Sequence, residues 1–159
     1  MVGVVGKMIL PVRLYLDPIL HQPTELVTNF NSEELFKLSQ DMIQTCMEYK
    51  GVGLAAPQIG INKNLAVLFL EDKSRILVIA NLINICYNKE VGTDIQLEGC
   101  LSCPGVSIPV KRYLEVEIDA QNLMGEKVSY KFTDYDARIF QHEADHLAGI
   151  LITKGLMTL

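Results

Sequence analysis

The sequence predicts an α+β fold with mainly antiparallel strands. Two long segments have helical periodicity, and the segments with strand character lie between them instead of alternating with helices. Two alternating segments are separated by a short connection of the kind found in hairpins. With 159 residues, 49% of them apolar, the chain is expected to form one domain over residues 1–159 around one core.

The first helix is predicted from about Ser32 to Lys50. Asn31 is a candidate cap, and Glu34 three residues later completes a capping-box pattern. Gly51 is placed to end the helix. Its predicted apolar face consists of Leu35, Leu38, Met42, Cys46 and Tyr49. The preceding segment, residues 9–29, contains several prolines and is expected to be extended chain and turns, with His21 at the surface.

Four short segments are predicted to be strands because they are continuously apolar or alternate: Leu65–Leu70, Ile76–Ala80, Glu115–Ala120 and Lys127–Phe132. Asn122–Glu126 is a plausible hairpin connection between the last two. A second helix is predicted from about Asp134 to Ala148. Thr133 or Asp134 would cap its start, and Gly149 would close its end.

Charge and hydropathy disfavour two classes of partner. The formal net charge is −5, and the sequence has no basic stripe, so neither direct nucleic-acid binding nor attachment to an anionic membrane is expected. No apolar run approaches the roughly 18 residues of a membrane span. Met1–Leu10 lacks the pattern of a signal peptide. The thiols are expected to be free, and Cys46, Cys86 and Cys103 receive no functional assignment.

The segment His142–His146 carries a metal-binding pattern. Two histidines four residues apart on a helix point the same way and can bind one divalent ion, while Glu143 can reach an activated water as general base. The alternative is a helix with two ordinary surface histidines. A third ligand must come from elsewhere in the fold, and Cys100, Cys103 and several carboxylates are all eligible.

Three motifs occur in a fixed order: GVGLAAPQ at 51–58, EGCLS at 98–102 and HEADH at 142–146. In motifs, order and spacing the chain resembles the peptide deformylases over nearly its whole length. The resemblance implies antiparallel sheets packed around a central helix that carries the HExxH motif. It also implies hydrolytic removal of the formyl group from N-formyl-methionyl peptides, on nascent chains at the ribosome. The expected location is the bacterial cytoplasm, or that of an infected host cell for a virus-encoded member.

The resemblance also implies roles for individual residues at the centre. Cys100, His142 and His146 correspond to the metal ligands, with ferrous iron as the native ion and zinc, nickel or cobalt able to replace it. Glu143 corresponds to the general base. The Gln58 side chain and the backbone N–H of Leu101 correspond to the hydrogen-bond donors for the formyl oxygen.

Further residues are expected to bind the substrate or support the ligands, and among these the resemblance covers Gly53 and Arg112. Gly53 corresponds to a position whose backbone pairs with the extended peptide, although it could simply be a turn glycine. Val52 and Ile139 are candidates for the wall of a methionine pocket, or plain core. Arg112 is expected to pair with acidic groups near the site. The residues that flank the ligands, Gln141 and Asp145, are candidates to orient the histidines.

Two other functions are compatible with parts of the pattern. A zinc endopeptidase would use the same two histidines and glutamate, but its third ligand is expected downstream of His146, where the sequence offers few residues. A metal-binding module without catalysis would not need Glu143. The segment after Gly149 is short, so the long C-terminal helix of many bacterial deformylases is not expected.

Overall fold

Every strand pair in the described residues, 8–155 of this computed structural model, is antiparallel. The elements in chain order are α1 (Glu33–Glu48), β1 (Gly53–Ala55), β2 (Leu65–Leu70), β3 (Arg75–Tyr87), β4 (Thr93–Cys100), β5 (Cys103–Tyr113), β6 (Glu115–Gln121), β7 (Lys127–Thr133) and α2 (Asp134–Leu147). Short 3-10 helices lie at Pro18–His21, Ala56–Ile59 and Ile152–Gly155. The predicted α+β class is confirmed.

The two helices cover opposite faces of one sheet, whose strand order over the described residues is β1-β2-β3-β6-β7. Along β2, Val67 and Phe69 pack with α1, whereas Ala66 and Leu68 pack with α2. Every residue of β2 is buried, which explains why this strand is continuously apolar instead of alternating. No helix within residues 8–155 is long and apolar enough to cross a bilayer. Residues 1–7 of the segment Met1–Leu10, for which no signal peptide was predicted, lie outside the described residues.

The start of α1 differs from the prediction by one residue. Ser32 is the cap, because its Oγ accepts a hydrogen bond from the backbone N–H of Leu35 at 3.1 Å. Asn31 has a φ of 52°, a left-handed conformation, whereas Ser32 has the extended backbone that a cap requires. The prediction that Asn31 caps this helix is therefore wrong.

The end of α1 also differs. The helix ends at Glu48, and Lys50 takes the positive φ, 56°, that was expected of Gly51. Tyr49, predicted to lie on the apolar face, is 46% exposed beyond the last turn. Gly51 is needed for another reason: a Cβ there would lie 3.1 Å from Leu101 Cδ1 and 3.2 Å from Cys46 Sγ. It permits close packing between α1 and the second motif.

Strand β3 continues well beyond the predicted Ile76–Ala80. Asn81 has a φ of 48° and the register shifts between Ala80 and Asn84, so a bulge interrupts the apolar pattern. The Asn81 side chain accepts a hydrogen bond from Val27 N at 2.7 Å and donates one to Val27 O at 2.9 Å. The bulge thus ties the N-terminal segment to the sheet.

The hairpin of β4 and β5 was not predicted. Most side chains on β4 are exposed or half-buried, so the strand lacks a regular apolar pattern. Helix α2, in contrast, occupies nearly the predicted range. Thr133 holds the cap position without a side-chain capping bond. Gly149 has the left-handed φ, 76°, predicted for a residue that closes the helix.

The N-terminal segment crosses all three motif regions. The backbone N–H of Arg13 donates to Gln58 O at 2.6 Å, that of Tyr15 to Ser102 O at 2.9 Å, and that of Thr24 to Leu147 O at 3.1 Å. His21 is exposed, as predicted. The segment therefore fixes the relative positions of the first motif, the second motif and the end of α2.

Candidate metal centre and active site

Three donor atoms from two different elements converge on one point. Cys100 Sγ, at the end of β4, lies 3.4 Å from His146 Nε2, which is 3.2 Å from His142 Nε2. The donor atoms all lie within 4.8 Å of one another. The histidine rings, on successive turns of α2, have centroids 5.0 Å apart. This is the arrangement of three protein ligands that leave a further coordination position open.

Glu98 orients the first histidine. His142 Nδ1 lies 3.0 Å from Glu98 Oε1, which directs Nε2 towards the other two donors. Gln141 and Asp145 were the predicted candidates for this task, and that prediction is wrong. Within the described residues, neither side chain makes a hydrogen bond to a histidine ring. Gln141 binds the backbone of Tyr113 and of Ala137, while Asp145 binds Arg112.

Two arginines hold the Glu98 carboxylate. Arg112 donates from Nε and Nη2 at 2.9 Å each, and Arg138 donates from Nη1 at 2.6 Å. Burial raises the pKa of Glu98, but the hydrogen bonds from His142 and Arg112 outweigh it and hold the pKa at about 2. Arg112 also pairs with Asp145 Oδ2 at 2.6 Å, so it makes the pairing expected of it.

Neither Glu98 nor Arg138 was predicted to have a role in the site. A usable signal exists for Glu98, because residues two apart on a strand share a face and Glu98 lies two residues before Cys100. That signal depends on recognising β4 as a strand. Arg138 lies one helical turn before His142, so it projects from the same side of α2.

Glu143 is a buried carboxylate beside the three donors. It is 3% exposed, and burial raises its pKa to about 7. Its Oε2 atom has no hydrogen-bond partner within the described residues. A Cβ at Gly53 would lie 2.6 Å from Glu143 Oε1, so only glycine leaves room for the carboxylate here. Such an unpaired group is costly for folding and is typical of a functional site.

The protonation of the donors depends on burial and neighbours. Burial lowers the pKa of His146 well below its ordinary value, which favours the neutral imidazole that binds metals. For His142 burial acts in the same direction, but the hydrogen bond to Glu98 raises the pKa overall. The proximity of the two thiols raises the pKa of Cys100, with burial acting in the same direction, and lowers that of Cys103 to about 7.

The donor set itself fits a divalent transition metal. One thiolate and two imidazoles suit iron, nickel, cobalt and zinc, and a bound cation keeps a coordinating thiol deprotonated. Although Cys103 lies directly opposite Cys100 in the hairpin, it is not part of the converging group.

Gln58 directs its amide nitrogen at this centre. The side chain is buried, and its Oε1 accepts a hydrogen bond from Ala55 N at 2.9 Å. That bond turns Nε2 towards Ser102 Oγ, at 3.2 Å, and Cys100 Sγ, at 3.7 Å. Leu101, the other predicted donor, follows Cys100 directly in the turn that joins β4 and β5.

A cavity of about 430 Å³ opens beside the donors. Its lining includes Cys100, His142, Glu143, Gln58 and Leu101, together with the three predicted substrate-binding residues, Val52, Gly53 and Ile139. Strand β1, which contains Gly53, pairs with β2 on one side and forms an edge of the described sheet. Eight of the nine predicted site residues therefore line one cavity, and the ninth, His146, lies beside it, with its Nε2 atom 3.4 Å from Cys100 Sγ and 3.2 Å from His142 Nε2.

Comparisons with known proteins agree with this geometry. The polypeptide deformylase family model matches residues 9–159. A peptide deformylase from Acidobacterium capsulatum is 46% identical over 144 residues, which cover 91% of this chain and 84% of the relative.

Solved structures of peptide deformylases have the same fold. A Met-Ala-Ser-bound class I type b enzyme from Acinetobacter baumannii superposes with a TM-score of 0.87 at 31% identity, covering 94% of this chain and 99% of the other. The enzyme from Thermus thermophilus gives a TM-score of 0.84 at 40% identity, covering 92% and 84%. The chain therefore belongs to the polypeptide deformylase family, the metal-dependent hydrolases that remove the formyl group from the amino terminus of new polypeptides.

Proposed function

We propose that this chain hydrolyses N-formyl-methionyl peptides at a centre formed by Cys100, His142 and His146, with Glu143 as general base and acid. One observation carries the proposal. The three donor atoms lie within 4.8 Å of one another, beside a buried carboxylate that has an unpaired oxygen among the described residues. A purely structural metal site would need neither the open cavity nor the unpaired Glu143.

The three ligands would hold one divalent ion, for which we propose ferrous iron as the native species. When bound, such an ion supplies Lewis acidity and lowers the pKa of a water molecule to roughly 7. Cys100 would contribute the thiolate, while His142 and His146 would bind through Nε2. Glu98 fixes the His142 ring through Nδ1, at 3.0 Å, and thereby leaves Nε2 free for the ion.

Glu143 would move the proton. Burial raises its pKa to about 7, close to the pH at which a general base works best. At neutral pH the carboxylate can accept a proton from the attacking water and pass it to the nitrogen of the leaving amine. The formyl carbon–nitrogen bond breaks, and the products are formate and a peptide with a free amino terminus.

Gln58 and Leu101 would stabilise the negative charge that develops on the formyl oxygen. The Gln58 amide is already oriented by the hydrogen bond from Ala55 N, so little reorganisation is needed during the reaction. The Leu101 backbone N–H, next to the ligand Cys100, is the second proposed donor. Loss of one such donor typically costs roughly 100- to 1000-fold in kcat.

The peptide would bind as an added strand along β1. Backbone pairing at Gly53 does not depend on the peptide sequence, which suits an enzyme that processes many different chains. The methionine side chain would enter the cavity beside Val52 and Ile139. We therefore also propose that the substrates are nascent chains at the ribosome and that the enzyme acts in the cytoplasm.

The deciding experiment compares three substrates with protein purified and loaded with Fe²⁺ without air. Formyl-Met-Ala-Ser should release formate, Met-Ala-Ser should remain unchanged, and a longer peptide should show no internal cleavage. Internal cleavage without formate release would instead identify an endopeptidase. Bound Fe²⁺ without turnover of any of these peptides would indicate a metal-binding module.

The ligand choice can be tested with two matched cysteine variants. Cys100→Ser should weaken metal binding, because it removes the sulfur donor that lies within 4.8 Å of both histidine donors. Cys103→Ser, its neighbour across the hairpin, should keep one metal ion per chain. Elemental analysis of both variants after identical loading provides the measurement. Metal content that follows Cys103 instead would contradict the assignment.

A further inference from the structure

We infer that Arg138 is a positioning residue of this centre: it clamps α2 to the β4–β5 hairpin through Glu98, and so sets the geometry of the metal ligands. The inference deepens the proposed function and takes from it only that Cys100, His142 and His146 bind the metal.

The ligands come from two elements that must be held in register. His142 and His146 lie on α2, whereas Cys100 lies at the end of β4. A movement of one element against the other by a fraction of an ångström would change the separation of the thiol and the imidazoles. Metal ligands must be held within about 0.5 Å of their binding geometry by the residues around them. The contacts between α2 and the hairpin therefore determine whether the centre forms.

One face of α2 supplies the polar contacts to the hairpin. Its residues recur at helical spacing and reach β4 or β5: Arg138, Gln141, His142 and Asp145. Arg138 makes the largest share of these contacts. It is 4% exposed, and its guanidinium donates to acceptors on both strands of the hairpin.

The Arg138 guanidinium has four acceptors. Nη1 donates to Glu98 Oε2 at 2.6 Å and to Val110 O at 2.9 Å. Nη2 donates to Asp94 Oδ1 at 2.7 Å and to the backbone O of the same residue at 3.1 Å. Two backbone acceptors, one on each strand, are thus held by the same planar group. A lysine, with its single ammonium, cannot reproduce this fork.

The clamp leads directly to a ligand. Glu98 accepts from Arg138 on Oε2 and lies against His142 Nδ1 on Oε1, so the two contacts use opposite oxygens of one carboxylate. Arg112 supports the same carboxylate from β5. Loss of Arg138 would leave the Glu98 carboxylate held by Arg112 from the β5 side alone, and no arginine of α2 would tie it to the helix that carries His142.

Stability alone cannot separate this role from an ordinary buried ion pair. Removing one partner of a buried ion pair destabilises the fold whatever else the pair does. Partners that orient metal ligands, in contrast, typically change metal affinity or activity by about 10- to 100-fold when they are removed. The readout must therefore be the metal centre in folded protein.

The first experiment measures Co²⁺ binding to full-length Arg138→Met after removal of metal with a chelator. We expect affinity about 10- to 100-fold weaker than wild type, by competition with a chromophoric chelator, and a changed visible spectrum of the Co²⁺–thiolate centre. Arg75→Met is the matched control, because Arg75 is an exposed arginine on β3 paired with Glu71. It should bind Co²⁺ like wild type. Wild-type affinity and spectrum in Arg138→Met would overturn the inference.

The second experiment asks whether Arg138 acts through Glu98. Glu98→Gln and Arg138→Met/Glu98→Gln should bind Co²⁺ with nearly equal affinity, because Arg138 reaches the His142 ring through the Glu98 carboxylate. A further 10-fold loss in the double variant would refute positioning through Glu98.

Should Arg138→Met not fold, Arg138→Lys gives the same test: Co²⁺ affinity below wild type is expected, and full rescue would overturn the inference. If the wild-type enzyme releases no formate but the variants bind Co²⁺ as expected here, only the proposed function is refuted.

Discussion

The two helices bury polar side chains in different ways. On α1 the buried hydroxyls are satisfied locally: Ser39 Oγ donates to Phe36 O at 2.7 Å, and Thr45 Oγ1 donates to Asp41 O at 2.7 Å. On α2 the buried polar groups point to other elements or lack partners among the described residues. Glu143 Oε2 and His146 Nδ1 are the two unpaired atoms on this helix.

The difference separates a helix that serves stability from one that carries the proposed chemistry. Hydroxyls that bond to their own helix cost little to bury, so the face of α1 behaves like an ordinary core. A buried carboxylate without a partner has lost its hydration, and no hydrogen bond compensates for that loss. A fold retains such groups where activity depends on them. Substitutions on α2 should therefore change turnover or metal binding, whereas those on α1 should change stability.

The largest expected effect is that of Glu143→Ala on α2. Loss of the proposed general base should lower kcat by roughly 100- to 10,000-fold, while one metal ion per chain remains bound. The free energy of unfolding should not fall, because the substitution removes an unpaired buried charge. Formate release, elemental analysis and urea unfolding provide the three readouts. Unchanged kcat would remove Glu143 from the mechanism.

The reactivity of Cys46 tests whether the core beneath α1 excludes solvent and reagents. Burial, with a smaller contribution from the Glu143 charge, raises the pKa of its thiol to about 12. At pH 8 the reactive thiolate would then be about one molecule in 10,000, which is about 1000-fold less than for a thiol with its ordinary pKa. Exposed Cys86 is the internal reference. Of these two thiols, iodoacetamide with peptide mass spectrometry should label Cys86 and leave Cys46 unlabelled. Equal labelling would show that the α1 core opens readily.

The sequence predicted the parts of the fold in which burial follows a simple period. Helices α1 and α2, and the strands β2, β6 and β7, each have one continuous apolar or alternating pattern. The β4–β5 hairpin was missed because its outer side chains are exposed and its inner contacts are charged, as in the pair of Glu98 with Arg112. Strand β3 was cut short because the bulge at Asn81 interrupts its pattern.

The same cause explains what was missed in the site. The converging donors and Glu143 were predictable because helical spacing and the three motifs are local features of sequence. The support of His142 by Glu98 and Arg138 joins residues 44 and 40 positions apart. Neighbours in sequence, Gln141 and Asp145, were chosen instead. Contacts across elements become predictable only when the strand that carries one partner has been recognised.

Met42→Ala on α1 should give the opposite result to Glu143→Ala. Met42 is fully buried in the core beneath α1, and such truncations cost about 2–5 kcal/mol in free energy of unfolding. At 25 °C the folded fraction should retain wild-type kcat, because the residue lies on the far side of the sheet from the centre. Met47→Ala, at a 52% exposed position on the same helix, should cost less than about 0.5 kcal/mol. A selective loss of kcat in Met42→Ala would contradict the division between the helices.

The smallest expected effect concerns the cap of α1 and sharpens the same division. Ser32→Ala removes the acceptor of the Leu35 N–H and should cost about 1 kcal/mol in free energy of unfolding, with kcat unchanged. Asn31→Gly is the control, because glycine accepts the positive φ of that position without strain and should be neutral or slightly stabilising. Urea unfolding and formate release, measured for both variants, show which residue caps the helix. A larger loss in Asn31→Gly than in Ser32→Ala would assign the cap to Asn31, and a fall in kcat with either would mean that α1 contributes to the chemistry as well as to the core.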